Sequence, residues 1–524
     1  VDTDRVAVIG GGVAGLVAAL LLAARGLDVT VFEKAESPGG KIRALGIGDA
    51  QIDSGPTVFT MRWVFDSLLA EVGAKLDDHL SLRRADVLAR HAWDAGATLD
   101  LFGDLERTVD AIGRFAGPAE GERYRGFARR CQTIYQSLEA PFLKAARPSG
   151  PVDLARKVGL GGLPGLAAGT PFSTLWKELG RHFHDPRLRQ LFGRYATYCG
   201  SSPFAAPALL MLIAHVEREG VWYVEGGMAA IPRALAALAE RFGARFRYGV
   251  EVSEIQVRNG RAIGIVLPTG ERIAAESVIC NADAAALTAG LFGREAARAL
   301  PRSKDAERSL SAVTWSMVAR TDGFPLRRHN VFFSRDYRAE FADIFERGRL
   351  PNEPTIYVCA QDRGDSGDPV PQGLERLFCL VNAPARGDTS PLQPSEVTSC
   401  ETRTFEALAR CGLSIHRSSA MTTVTTPTDF ARLYPGTGGA LYGQASHGWQ
   451  ASFRRPGART SLPGLYLAGG STHPGPGVPM AALSGRIAVS SLLTDLASTS
   501  RSHRAGMSGG TSTPSATMVA TGSP

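Results

Sequence analysis

The sequence is poor in the features that mark disulfide, metal, membrane-spanning or nucleic-acid proteins. Its seven cysteines, Cys131, Cys199, Cys280, Cys359, Cys379, Cys400 and Cys411, are scattered and never form a CxxC pair. That pattern excludes a disulfide framework and a zinc ribbon, and it points to reduced thiols. None of the ten histidines stands in a metal-ligand spacing with a nearby acid, so no metal site is expected. No apolar run reaches the length of about eighteen residues that a transmembrane helix needs. The first apolar run, residues 6–9, leads straight into glycines and not into a signal-peptide core. The expected location is therefore the cytoplasm, or its side of a membrane. Lys and Arg number 58 against 51 Asp and Glu, a formal charge of +7, but no basic block appears. Nucleic acid is excluded as a partner, whereas an anionic cofactor or an anionic lipid surface fits the excess.

What the chain does have is glycine in ordered places. Residues 5–9 read as a buried strand, 13–25 as an Ala/Leu-rich helix and 28–32 as a second strand, a βαβ unit. Between the first strand and the helix lies Gly10-Gly11-Gly12-Val13-Ala14-Gly15. Gly10 suits a tight turn, Gly12 lets backbone approach a pyrophosphate, and Gly15 lets helix and strand pack closely. The free N–H groups at Val13 and Ala14, at the helix start, then face the phosphates. Glu33 ends the second strand, where a carboxylate accepts from ribose hydroxyls and repels a 2′-phosphate. Lys34, beside it, is assigned to the same site.

Further along the chain the pattern changes. Residues 63–72 read as a helix, and helical periodicity dominates 105–215, with a loose Gly/Pro-rich stretch at 148–171. Residues 229–242 read as a helix. Residues 246–257 and 261–267 read as strands about an Asn259-Gly260 turn. Residues 277–280 read as a strand, 310–425 as mixed strands and loops, 463–468 as a strand and 480–496 as a helix. A Ser/Thr/Gly/Pro-rich tail follows and is expected to be disordered.

Three more segments carry chemistry. Pro38-Gly39-Gly40-Lys41-Ile42-Arg43 matches the second glycine pair shared by flavin amine oxidases and carotenoid desaturases. Asp53-Ser54-Gly55-Pro56-Thr57 matches their D-x-G-P-T stretch. Leu465 to Gly470, followed by Thr472-His473-Pro474-Gly475-Pro476-Gly477-Val478-Pro479, looks like the C-terminal flavin segment of bacterial phytoene-type desaturases. There a strand ends in Gly469-Gly470, and a helix begins near Val478, Pro479 and Met480. Weaker matches are Val252 in a strand, Cys280-Asn281-Ala282-Asp283, and residues 222–228, where Val224 stands in place of a common proline.

Together these motifs span residues 6 to about 495 in the family's order. The chain resembles the bacterial carotenoid (phytoene-type) desaturases. Residues 55–65 and Tyr442 to Gly448 are most similar to the 1-hydroxycarotenoid 3,4-desaturases, also called methoxyneurosporene dehydrogenases. The resemblance implies an α/β fold with a Rossmann-like FAD-binding domain, a mixed α+β substrate domain and a helical membrane-facing region. The implied division is 1–104, 221–300 and 426–496 for FAD, 105–220 for the helices, 301–425 for the substrate sheet and 497–524 for the tail.

The resemblance further implies FAD as cofactor, with Lys41 and Arg43 near its anionic parts, Gly55, Pro56 and Thr57 near the flavin ring, and Val252 at the adenine. It implies a long acyclic carotenoid as substrate, a membrane surface, and an electron acceptor such as oxygen or a quinone. The reaction it implies is hydride transfer to flavin N5 from C-3 or C-4. Phytoene or neurosporene desaturation, an amine or protoporphyrinogen oxidase, and a binding protein without turnover stay open as alternatives. No strong catalytic acid or base is evident. His447, His473 and Glu225 are the candidates, each against a purely structural role. Leu209 to Ile213 and residues 142–166 are candidates for an interfacial face, against plain core packing.

Overall fold

Short runs of β-branched residues build the centre of the molecule. In the computed structural model, which describes residues 4–170, 172–301, 307–365, 367–368 and 370–507, they form a five-stranded sheet. Its spatial order is Arg245–Arg247, Asp28–Phe32, Arg5–Ile9, Ser277–Cys280 and Leu465–Leu467. Every neighbouring pair is parallel. Parallel strands are covered on both faces and so read as continuous apolar runs. Val6, Ala7, Val8 and Ile9 are accordingly all buried. Segments far apart in sequence thus meet in one sheet, as the expected βαβ start and late 463–468 strand require.

The first helix, Val13–Ala23, is buried at all eleven positions. A helix that is apolar all round belongs inside, and this one packs against Ala230–Arg241 and the last helix, Val478–Met507. The contact with the last helix is backbone-close. A Cβ on Gly485 would stand 2.3 Å from the Ala14 carbonyl oxygen.

A second sheet of eight strands is centred on the long strand Ser311–Gly323 and on Glu375–Ala383. Trp315 and Phe378 are buried in it. Helices Leu105–Ala116, Pro118–Leu138, Pro151–Ala168, Leu175–His182, Pro186–Gly193 and Leu212–Glu219 fill the middle of the chain. No helix among the described residues is long and apolar enough to cross a membrane.

Five expectations need correction. The stretch 310–425, read as mixed strands and loops, also holds the seventeen-residue helix Pro394–Arg410. Residues 246–257 are not one strand. Gly249, at φ 67, breaks the run, so Arg245–Arg247 joins the parallel sheet while Glu254–Arg258 pairs with Arg261–Val266. The stretch 148–171 is mostly helical, as Pro151–Ala168, with its irregularity confined to Gly159 at φ 69 and ψ 176. Pro171 lies outside the described residues. Strands Val87–Ala92 and Thr98–Phe102, grouped by sequence with the first FAD segment, extend the second sheet through Val331 paired with His91. The last helix runs past residue 496 to Met507, and the tail residues 508–524 lie outside the described residues.

Because Gly485 faces main chain and not a flexible side chain, Gly485→Ala must push two buried helices apart. It should lower stability by about 1–3 kcal/mol, read as a lower denaturation midpoint of the holoenzyme. An unchanged midpoint would show that the helix pair has slack.

Candidate active site

The carboxyl end of the parallel sheet is where the glycine motifs converge. Gly10 leaves its strand with φ 95 while its N–H still donates to the Phe32 carbonyl at 2.8 Å. At Gly15 there is no space for a side chain, since a Cβ would lie 2.2 Å from the Gly10 oxygen. At Gly12 a Cβ would meet the Asn281 amide at 2.9 Å. Asn281 itself donates to the Gly10 oxygen at 3.1 Å and holds the turn from the neighbouring strand. The second glycine pair lies directly against the first, with Gly39 N–H donating to Gly11 O at 2.9 Å.

Glu33 is buried at 7% exposure, and both carboxylate oxygens are held. Oε2 accepts from Gly11 N–H at 2.6 Å and Oε1 from Ala35 N–H at 2.8 Å. These bonds fix the carboxylate beside the glycine turn. Gly10, Gly12, Val13, Ala14, Glu33, Lys34, Gly40, Lys41, Arg43 and Val252 line one continuous cavity of about 670 Å³. Gly55, Pro56, Thr57, Gly469, Gly470, Val478, Pro479 and Met480 line it too. Of the expected cofactor residues only Gly15 does not, because it packs beneath the turn.

Two buried cations stand in this cleft. Lys41 Nζ donates to the Leu441 oxygen at 2.6 Å, and burial pulls its pKa down. Arg455 donates to the carbonyls of Tyr442 at 2.9 Å and Gln444 at 2.7 Å, and burial lowers its pKa as well. Neither has a carboxylate within salt-bridge distance among the described residues, and Asp283, which lines the same cavity, offsets the charge of both only from farther away. Buried charge of that kind calls for an anion. Arg43 stands otherwise. It donates to Ser54 O and Thr425 Oγ1 and stacks on Phe430, bracing the cleft while lining it.

The D-S-G-P-T stretch is tied down at both ends. Asp53 accepts from Met228 N–H at 2.8 Å, which explains why the Gly-Gly-Met segment accompanies this motif. Thr57 Oγ1 pairs with Tyr357 Oη at 2.6 Å, and Tyr357 pairs in turn with His329 Nδ1 at 2.7 Å. Beyond Thr57 the cavity wall becomes largely apolar, through Val58, Leu138, Leu209, Leu210, Ile213 and Phe378. Leu209, Leu210, Leu212 and Ile213, offered from sequence as an interfacial or core face, are cavity wall.

The candidate acid–base residues fare differently. Glu225 sits exposed in a turn and does not reach the cavity. His447 is clasped between Glu307 Oε2 at 2.7 Å and Ser202 N–H at 3.0 Å, and it holds a loop. His473 is buried, with Nε2 near the carbonyls of Phe142 at 2.9 Å and Ala145 at 3.0 Å. Two carbonyl partners require Nε2 to carry the proton. Burial pushes its pKa down to about 4, so the ring is neutral. None of the three lines the cavity. Arg455 and Asn281 were missed as site residues. Asn281 lay in a segment already matched, while nothing in the spacing of Arg455 announces it.

The arrangement fits FAD. The glycine turn leaves room for a pyrophosphate, the fixed carboxylate suits a ribose, and the buried cations suit an anionic cofactor. The profile of the family described as flavin containing amine oxidoreductase matches residues 13–493. The hydroxyneurosporene desaturase of Rubrivivax gelatinosus is 54% identical over 519 residues, covering 98% of each chain. The chain belongs to the carotenoid desaturases of the flavin amine oxidoreductase family. A second hydroxyneurosporene desaturase, from Cereibacter sphaeroides, is 45% identical over 95% of this chain and 99% of its own. Among solved structures, an oxidoreductase from Methanosarcina mazei aligns with a TM-score of 0.59 at 18% identity. It covers 94% of this chain and 100% of its own, and it attests the fold. This carotenoid desaturase is therefore an FAD-dependent oxidoreductase, as its resemblance implied.

Gly12→Val fills the space beside Asn281, and Glu33→Ala frees the Gly11 and Ala35 N–H groups. Each should weaken FAD retention by at least about tenfold, a loss of about 1.4 kcal/mol, read by flavin fluorescence after dilution. Full FAD occupancy in both variants would place the nucleotide elsewhere. His473 gives a pH signature. Its folded pKa, about 4, lies below the ordinary 6.5. Its contribution to stability is complete above about pH 6.5 and is lost as pH falls toward 4. His473→Gln should flatten the stability profile over that interval by up to about 1.4 kcal/mol per pH unit. Identical slopes for variant and wild type would mean that His473 is not buried neutral.

Proposed function

We propose that this desaturase introduces a C-3,4 double bond into an acyclic carotenoid bearing a 1-hydroxy or 1-methoxy group. The observation that carries this reading is the near-full-length likeness to hydroxyneurosporene desaturases. The cavity supports it, since its largely apolar wall runs from Thr57 into the helical region. FAD, when bound, supplies the hydride acceptor.

The chain's own work is alignment and exclusion of water. Gly55, Pro56 and Thr57 form a firm floor, because Asp53 and Tyr357 hold both sides of that segment. The aliphatic side chains of Leu209, Leu210 and Ile213 confine a polyene without polar competition. A conjugated substrate delocalises the charge that develops, so a strong protein base is not required. Arg455 and Lys41 raise the positive potential in the cleft, which favours an electron-rich, reduced cofactor.

A water-insoluble substrate must come from a bilayer. Val152, Leu160 and Phe172 are exposed apolar residues, and the ring of Phe172 lies 5.6 Å from that of Trp449. In our reading these residues dip into one leaflet on the cytoplasmic side of a cytoplasmic or intracytoplasmic membrane. Oxygen or a membrane quinone takes the electrons.

The test is turnover by the FAD-loaded protein on liposomes holding either 1-hydroxyneurosporene or phytoene. A loss of two hydrogens from the hydroxylated carotenoid, with a red-shifted spectrum, is expected. Turnover of phytoene alone would move the enzyme to an earlier desaturation step. Turnover of neither would end the reading.

A further inference from the structure

Arg194 is the least explained charge in the protein. It opens the 3-10 segment Arg194–Cys199 and is buried to 8% exposure, yet it lines the largely apolar cavity. Guanidinium has five N–H donors. Here Nη2 donates to the Tyr198 hydroxyl at 3.0 Å, whereas Nε is sealed in without any partner. Nη1 has no hydrogen bond among the described residues and is not among the sealed atoms, and Arg194 lines the cavity.

The surroundings explain how the charge survives. Glu217 is buried and accepts from Tyr195 at 2.6 Å and from Tyr198. Tyr198 therefore relays the carboxylate to Arg194. This arrangement keeps the guanidinium charged but leaves its donors unfilled. A buried donor without a partner is costly, and structures retain one where a ligand supplies the acceptor. A hydrocarbon cannot do so.

We propose that Arg194, seated on Tyr198, is a recognition station for an oxygen atom at the end of the substrate. The chemical class is a tertiary alcohol or its methyl ether on a polyene terminus. Both offer a lone pair, and a donor-only side chain accepts either one. Position agrees with chemistry. Thr197, Tyr198 and Tyr357 line the same cavity as Thr57, at the segment assigned to the flavin ring. In a 1-oxygenated carotenoid only the C-2 carbon separates C-1 from C-3, so the oxygen and the reacting bond must be held close together. The station is a specificity device. An end without oxygen leaves the guanidinium unsatisfied and is disfavoured.

The inference rests on the proposed function, but its test reads binding and not turnover. Dissociation constants of 1-hydroxyneurosporene, its 1-methoxy ether and neurosporene are measured on the FAD-loaded protein by quenching of flavin fluorescence. Wild type should prefer both oxygenated forms by about ten- to a hundredfold, the range of a hydrogen bond to a charged group. Arg194→Leu should erase that preference. Arg194→Lys, which keeps a cation, should restore part of it.

An unchanged preference in Arg194→Leu would overturn the station. So would a wild type that binds all three alike, even if it desaturates one of them. Oxygen-selective binding lost in Arg194→Leu, without turnover of any of these carotenoids, would keep the station and sink the assigned reaction. Should Arg194→Leu fail to retain FAD, Tyr198→Phe carries the comparison, since it removes the hydroxyl that seats Arg194. An unchanged preference there would also overturn the station.

Discussion

The first helix lies against two backbones with no side chain between. Gly15 sits under the Gly10 carbonyl, and Gly485 of the last helix sits against the Ala14 carbonyl. These two contacts set the height of the helix over the sheet. They therefore fix where its free N–H groups point and how close a pyrophosphate can come. The remaining site depends on that placement. Glu33 reaches Gly11, Gly39 reaches Gly11, and Asn281 reaches Gly10 only because the turn is where it is. The last helix, whose start lines the same cavity, is registered by the same glycine contact. One close-packed seam couples both ends of the cofactor cleft.

Charge in this protein is arranged by what can neutralise it. Glu375, buried in the second sheet, and the half-buried Arg363 beside it satisfy each other at 2.8 Å and belong to the framework. Lys41 donates to a carbonyl and lies over the Tyr434 ring, Arg455 donates to carbonyls and the Ser446 hydroxyl, and Arg194 donates to a phenol. These neutral partners offer dipoles, not a charge, and no carboxylate among the described residues is in direct contact with any of the three. They are spread over the cavity, with Lys41 and Arg455 in the cofactor cleft and Arg194 in the helical wall. The first pair matches an anion. A lone guanidinium edge in a hydrocarbon wall matches a neutral lone pair, since no solvent-filled channel is needed to admit it.

Legibility in the sequence followed the same physics. Gly10, Gly12, Gly15, Gly39 and Gly40 were readable because positive φ angles or close approaches leave only glycine there, and the requirement is local. The parallel strands were readable because burial on both faces leaves an unbroken apolar run. Glu33 was readable by its place at a strand end. The helical region was not, because Leu209 to Ile213 look the same whether they face lipid, core or cavity. His447 and His473 sit in the right motifs, yet their partners, Glu307 and the Phe142 and Ala145 carbonyls, come from far along the chain. Glu225 drew notice from a matched segment, but its side chain leaves the fold. Arg455 and Arg194 carry no local signal at all, since nothing in the neighbouring residues marks an arginine that the fold will bury.

The family likeness and the cavity divide the explanation between them. The glycine seam and the D-S-G-P-T floor are demands of the cofactor, so they cannot tell one substrate from another. The wall from Val58 through Leu210 to Phe378 is also nonspecific, because apolar contact discriminates poorly between hydrocarbons of similar girth. Selection among carotenoids therefore has to come from the few polar atoms in that wall. Tyr357 is engaged by Thr57 and His329, and Tyr198 by Glu217 and Arg194. The hydroxyls of Tyr337 and Thr314 also line the cavity without a partner, but the guanidinium of Arg194 is the charged group in that wall with donors to spare. A substrate end that carries oxygen changes the energy of that group, and a hydrocarbon end does not.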